Sequence, residues 1–235
     1  MPSKNTARQY KEGGIYHIYN RGINKQKIFV DDKDYATFLF YLKLYLDNPE
    51  NLKSLDPQKR KYLARKNYNS TVELLCYCLM PNHYHLLLKQ TGELDLSGFM
   101  RSLMINYSMY FNDRHKRVGP LFQGKYKAAL VEEDEYLLHL SRYIHLNPLA
   151  KVRNLGKGVR YNLKKAEDYK YSSYSVYSGK KKISWVRPKF ILDFFDENKK
   201  QKDKNEFLYK KYREFVEDTE QESEEILKDI ILEEN

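Results

Sequence analysis

The sequence predicts an α+β fold: a ferredoxin-like split βαβ antiparallel sheet with an added helix and a helical C-terminal extension. Three observations carry this. Segments of alternating and of helical periodicity follow one another as strand, helix, strand, strand, helix, strand, helix. Only Pro81-Asn82, a turn dipeptide, separates the second strand from the third. The helical segments carry apolar stripes spaced for burial on one side. In this topology the first and third strands are the central pair, with the helices expected on one face of the sheet and the other face left as an open surface.

The elements follow in order. Gly14–Asn20 (GIYHIYN) alternates as a first strand and is closed by Arg21-Gly22. Asp31–Leu46 carries Tyr35, Phe38, Leu39, Leu42 and Leu46 at helical spacing, with Asp31 or Asp32 as the cap. Asp47–Ser70 is polar, holds Pro49 and Pro57, and reads as a loop or short helical insertion. Thr71–Met80 and the run through Lys89 are the paired strands. Leu94–Asn112 is a second helix, with Leu96, Phe99, Met100, Leu103, Tyr107 and Tyr110 on its stripe. A basic loop, Asp113–Gly124, leads to a fourth strand, Lys125–Glu132. Asp134–Leu146 is a third helix, opened by acidic residues and stopped by Asn147-Pro148. Beyond it, Leu149–Trp185 is basic and tyrosine-rich, Phe190–Phe195 is an apolar patch, and Glu206–Glu217 and Gln221–Glu233 look helical. The domain reading is a core over 1–150, an extension over 151–198 and an acidic helical tail over 199–235.

With 41% hydrophobic residues in 235, a substantial core is available. No apolar run approaches the length of a membrane helix, and Met1–Gly13 carries no signal-peptide core, so a cytoplasmic protein is expected. Cys76 and Cys78 point to one face of a strand, too constrained to bridge easily, and are read as buried thiols. The net charge of +10 is uneven. Glu214–Asn235 holds ten acidic residues and one lysine, which leaves 41 basic against 22 acidic residues, a net +19, in Met1–Arg213. A body so basic, in a chain with 22 tyrosines, points to a nucleic-acid partner.

The chemistry centres on Met80–Lys89, MPNHYHLLLK. His83 and His85 are two apart on a strand and share a face beside a turn. They are placed to hold one divalent cation, and equally to sit as two histidines on a half-buried sheet. Tyr143 and Asn147 are four apart and share a face at the end of the third helix. A tyrosine beside a cation held by His83 and His85 is a sensible phosphodiester nucleophile, because a free phenol, with a pKa near ~10, needs its phenolate stabilised. The Asn147 amide oxygen would complete a neutral donor set that leaves the ion its full charge, which favours Mg²⁺ or Mn²⁺ over zinc. Taken alone, packing with Leu140 and Ile144 is the simpler reading of Tyr143. His139, one turn earlier, is a ligand or a mere neighbour.

These segments together resemble a known family. HYH after a strand and MPN, then LFQGKYK, then YLLHLSRYIHLNP, is similar to the HUH-endonuclease transposases with a single catalytic tyrosine, including insertion-sequence enzymes and REP-associated tyrosine transposases. IYHIYNRG followed by IFVDDKDYATFL resembles the family's opening, and the likeness runs from about Gly14 to about Ala150. The resemblance implies that His83 and His85 are the HUH pair, Tyr143 the nucleophile and Asn147 the third metal ligand. It implies transesterification of single-stranded DNA flanked by hairpins, through a 5′-phosphotyrosine link that frees a 3′-hydroxyl. It also allows a homodimer in which each tyrosine serves its partner's site, or a monomer. The acidic tail and the lysine-rich Asn51–Lys66 stretch depart from the family pattern.

Two rival readings remain. One is a non-catalytic single-strand-binding module that stacks bases on Tyr16, Tyr19, Tyr77 and Tyr84. The other is a replication-initiator-type HUH nickase. Arg21, Lys116, Arg117, Lys125 and Lys127 are the expected phosphate contacts, with Arg114 and Gln123 as base readers. The acidic tail either packs its apolar stripe on the body or lies over the basic groove in competition with DNA. If the basic residues bind phosphates, the log–log salt slope of single-strand affinity, measured by fluorescence anisotropy, is expected near about −0.7 per contact. A flat salt response would assign binding to stacking.

Overall fold

The computed structural model describes residues 10–53, 56, 67–149, 166–196 and 204–218. Its sheet holds β1 (Ile15–Arg21), β2 (Val72–Met80), β3 (His83–Gln90) and β4 (Lys127–Val131). The order is β2-β3-β1-β4 and every pairing is antiparallel. This is the expected split βαβ topology, with the first and third strands central. Helices α1 (Asp32–Leu46), α2 (Asp95–Arg114) and α3 (Asp134–Leu146) fall within two residues of the expected bounds.

Strand alternation sorts the sheet into two faces. Tyr16, Ile18, Tyr84, Leu86 and Leu88 face α1 and α2, where Phe38 and Tyr107 meet at 4.9 Å and the Tyr84 hydroxyl donates to Met104 Sδ at 3.1 Å. His17, Tyr19, Arg21, His83 and His85 face the other way. That second face is not open. Helix α3 crosses it, the Tyr143 ring meets the His85 ring at 5.5 Å, and α6 (Lys204–Glu217) lies behind α3. The expectation of helices on one face alone is thus corrected. A three-layer arrangement follows because α3 is amphipathic and buries Leu137, Leu140 and Ile144 completely or nearly so.

The described part of the extension packs onto the sheet. Leu79 N–H donates to the Tyr171 carbonyl, Ser173 N–H to that of Tyr77, and Arg187 N–H to that of Leu74. Residues 171–187 thereby pair with the outer edge of β2. One short helix, α4 (Tyr174–Tyr177), lies within that segment and another, α5 (Lys189–Leu192), follows it. Helix α6 runs to Glu217, so a tail counted from Glu214 takes in its last turn, including Phe215 and Val216. Gln221–Glu233 and most of the lysine-rich stretch lie outside the described residues.

Two local features hold the end of β1 and the start of α1. Gly22 follows β1 where a Cβ would come 2.1 Å from the Gln26 carbonyl oxygen, so no other residue fits without moving the loop. Asp31 caps α1, its carboxylate accepting from Lys33 and Asp34 N–H. Asp34 is fully buried and accepts from Val30 N–H at 2.8 Å, Arg114 at 2.6 Å, Tyr110 at 3.2 Å and His115 at 3.0 Å. Arg114 also grips Asp31 through two bonds. It ties the end of α2 to the start of α1, so the guanidinium expected as a base reader is held in ion pairs with Asp31 and Asp34. Asp34→Ala is expected to cost about 2–4 kcal/mol in urea denaturation, because it strips a buried anion from four donors. A loss below the error of the measurement would refute that role.

Candidate active site

The candidate site is built where the central strand pair meets the end of α3. Register places Tyr19 opposite His85 and Arg21 opposite His83, and Cys78 faces His85 from β2. Helix α3 delivers Tyr143 to the His85 ring and ends one turn later at Asn147, because Pro148 cannot continue the ladder. The Asn147 side chain lies between the two imidazoles, with Oδ1 3.2 Å from His83 Nε2 and Nδ2 3.5 Å from His85 Nε2. Sequence reasoning brought these four residues together, and the structure does so within a single chain. His85 and Asn147 are buried and His83 and Tyr143 are half-buried, which corrects the expectation of an open sheet surface.

The His83 ring meets two amide oxygens. Its Nδ1 lies 2.7 Å from the Asn82 amide oxygen, whose orientation is set because Asn82 Nδ2 donates to the Lys25 carbonyl. Its Nε2 faces the Asn147 amide oxygen. Satisfying both oxygens takes two ring protons. Burial, with the Arg21 charge second, pulls the His83 pKa down to about 4, so at neutral pH the ring has only one. His85 is pushed down further, by burial first and then by the charges of His83, His17 and Arg21. With one ring proton only one of these two nitrogen–oxygen contacts is a hydrogen bond, and a cation bound at Nε2 would leave the proton for Asn82. Two imidazole nitrogens and one amide oxygen fit Mg²⁺ or Mn²⁺ with further oxygen donors. Among the described residues no group of three or more His, Cys, Asp and Glu is gathered for a metal; the polar side chain that meets the two imidazoles is the Asn147 amide. Cys76 and Cys78 are free and buried, and burial raises both thiols above their ordinary value.

His17 was missed by sequence reasoning. Its Nε2 lies 2.9 Å from His85 Nδ1 and its ring is fully buried. The signal was present: His17 has the parity of Arg21 on the strand expected to pair with β3. His139 does not join the site; it packs against Phe215 at 5.5 Å.

The basic residues divide by face. Arg21 is buried beside His83, and its Nε has no hydrogen-bond partner among the described residues. Lys127 opposes Tyr19 and so shares the histidine face. Gln123 N–H donates to the Arg21 carbonyl, which sets the loop against the end of β1. Lys125 instead borders a groove of about 690 Å³ on the opposite side, lined by Tyr10, Met100, Met104, Phe122 and Tyr126. Arg117 donates to the Gln26 side chain at 3.3 Å, and Lys116 is exposed near Asp113. Tyr16, Tyr19, Tyr77 and Tyr84 are all buried, at 4% exposure or less, so none offers a free ring for stacking.

The position of α3 depends on a second polar cluster. The Tyr212 hydroxyl of α6 lies 2.8 Å from His145 Nδ1 and 2.9 Å from Ser141 Oγ. Burial pulls His145 down to about 3, so it is neutral. It then accepts from Tyr212 at Nδ1 and donates from Nε2 to Ser173 Oγ at 2.9 Å. Ser173 in turn bonds the β2 backbone at Tyr77. Arg142 Nε donates to the Val216 carbonyl at 3.3 Å.

Residues 51–147 match the family model described as transposase IS200 like. That span holds His83, His85, Tyr143 and Asn147 and leaves out β1. The match bears out the single-tyrosine transposase resemblance of the motifs, and the function it indicates is that of a transposase. One solved structure that the chain is similar to is a REP-associated tyrosine transposase bound to a REP hairpin, at 14% identity and a TM-score of 0.49, covering 79% of this chain and 92% of that one. No curated protein matches. No helix among the described residues is long and apolar enough to cross a membrane.

Tyr212→Phe is expected to lower stability by about 1–3 kcal/mol in urea denaturation, since it leaves His145 without its donor in a dry cluster. Wild-type stability in that variant would mean that the cluster does not hold α3.

Proposed function

We propose that this chain is a single-stranded DNA endonuclease and strand transferase of the transposase type, acting through a 5′-phosphotyrosine intermediate with Mg²⁺ or Mn²⁺. The observation that carries this reading is the convergence of His83 Nε2, His85 Nε2 and the Asn147 amide on one point beside the Tyr143 ring. Tyr143 Oη attacks phosphorus, and the bond from phosphorus to the 3′ oxygen breaks. The phenol loses its proton and the departing oxygen gains one, so a 5′-phosphotyrosine and a free 3′-hydroxyl result. Attack by a 3′-hydroxyl reverses the step and rejoins strands without ATP, since the bond energy is kept in the phosphotyrosine. The cation, held by His83, His85 and Asn147, would supply charge stabilisation for the phenolate and the crowded phosphate.

Arg21 fits as the scissile-phosphate contact, being a buried cation with a spare donor next to the histidines. Lys127 is placed to extend that contact along the strand. Lys116, Arg117, Gln123 and Lys125 are then contacts away from the reacting phosphate, in keeping with hairpin DNA as the recognition element. The tyrosine and the histidines come from one chain, so the reading needs no partner subunit, although a homodimer remains compatible with it. The non-catalytic stacking module is disfavoured by the burial of its four candidate tyrosines.

The test is incubation with single-stranded oligonucleotides from the DNA flanking the gene, with Mg²⁺ or Mn²⁺, followed by a denaturing gel. A covalent protein–DNA adduct is expected. Tyr143→Phe is expected to keep DNA binding and lose the adduct, and His83→Ala to lose cleavage by far more than it loses stability. An adduct that survives in Tyr143→Phe moves the nucleophile to another tyrosine, Tyr136 first.

A further inference from the structure

His17 lies on β1, diagonal to His85 across the central strand pair: Leu87 is its direct partner and Tyr19 is that of His85. Diagonal neighbours of this kind are within reach of ring side chains. The two rings are inclined by only 15°, and their centroids are 5.1 Å apart while the facing nitrogens are 2.9 Å apart. A centroid separation that exceeds the N–N distance by about two ring radii means that the rings meet edge to edge in nearly one plane. This is a hydrogen bond along the ring edges and not a face-to-face stack. The Tyr19 ring lies 4.8 Å from that of His17 and keeps it in this orientation.

We propose that His17 is a positioning residue that accepts a proton from His85 Nδ1 and so holds His85 in the tautomer whose Nε2 lone pair faces Asn147. The proton assignment follows from the other end of the ring. Asn147 Nδ2 approaches His85 Nε2 as a donor, so Nε2 carries no hydrogen and the single proton of the neutral ring resides on Nδ1. His17 Nε2 is then the acceptor. Asn82 does the same for His83, accepting from Nδ1 and freeing Nε2. The two histidines thus have matching supports from different elements, a carboxamide in the β2–β3 turn and an imidazole on β1. Such partners fix ring orientation and ligand basicity at metal-ligating histidines. The family match over residues 51–147 does not reach His17.

The inference rests on the cation reading of the proposed function, but its first measurement does not require a metal. In 15N-labelled full-length protein treated with EDTA, long-range ¹H–¹⁵N correlation spectra are expected to show His85 as the Nδ1–H tautomer. His17→Phe keeps the ring volume and removes the acceptor; it is expected to move His85 toward the Nε2–H tautomer and to weaken Mn²⁺ binding, followed by electron paramagnetic resonance of the free ion, by about 10–100-fold. His17→Gln restores a side-chain carbonyl acceptor and is expected to recover most of that loss, which a purely structural role for the ring would not produce. An Nε2–H tautomer for His85 in the wild type overturns the proposal, as does unchanged Mn²⁺ affinity in His17→Phe. Wild-type protein that takes up no Mn²⁺ overturns the cation reading of the site, and the metal-free tautomer still decides the His17–His85 bond by itself.

Discussion

The site depends on one register, that of β1 against β3. Antiparallel pairing with Tyr19 opposite His85 puts every odd-numbered residue of β1 from His17 to Arg21 on the histidine face. A slip of one residue would exchange these side chains for Ile18 and Asn20 and send His17 and Arg21 into the apolar layer under α1 and α2. The register is secured from that layer. Tyr16 and Ile18 are buried there against Leu86 and Leu88, and the slip would turn both of them onto the polar face. The hydrophobic side of the sheet thereby fixes the geometry of the polar side without touching it.

Placing ionisable groups in a covered layer has an electrostatic consequence. His83, His85 and His145 are all pulled down by burial, and His83 and His85 also stand beside one another and beside the buried Arg21. Neutral imidazoles at His83 and His85 avoid the repulsion that two charged rings beside Arg21 would create, and they keep lone pairs for hydrogen bonds and ligation. The two polar clusters on this face divide the work. The one around His145 uses up its donors and acceptors internally and holds α3. The one around His83 is left with one proton too few.

Much of this was legible in the sequence, for definite physical reasons. Period-two and period-3.6 patterns placed seven elements, because each buries one face or one stripe. Tyr143 and Asn147 could be paired because helical spacing fixes which side chains share a side. The covering of the histidine face was not legible. It arises from α3 turning to the opposite side from α1 and α2, and α3 is held there by Tyr174, Tyr177 and Tyr212, which lie far along the chain and gather around His145. The role of Arg114 was hidden as well. Its charge alone suggested DNA, and only the fold brings Asp31 and Asp34 to it, from 83 and 80 residues away. His17 needed two inferences joined, strand parity and strand adjacency, each of which was available separately.

The pairing of residues 171–187 along β2 has a bearing on self-association. An outer strand with free N–H and C=O groups is a template on which a second molecule can add a strand. On β2 the amides of Leu79 and the carbonyls of Leu74 and Tyr77 are already taken by the chain's own later segment. Trp185 also lies flat over Tyr77, with ring centroids 5.6 Å apart and 21° between planes. The longest strand of the sheet, apolar along nearly its whole length, is therefore closed to intermolecular growth where its own backbone would otherwise invite it.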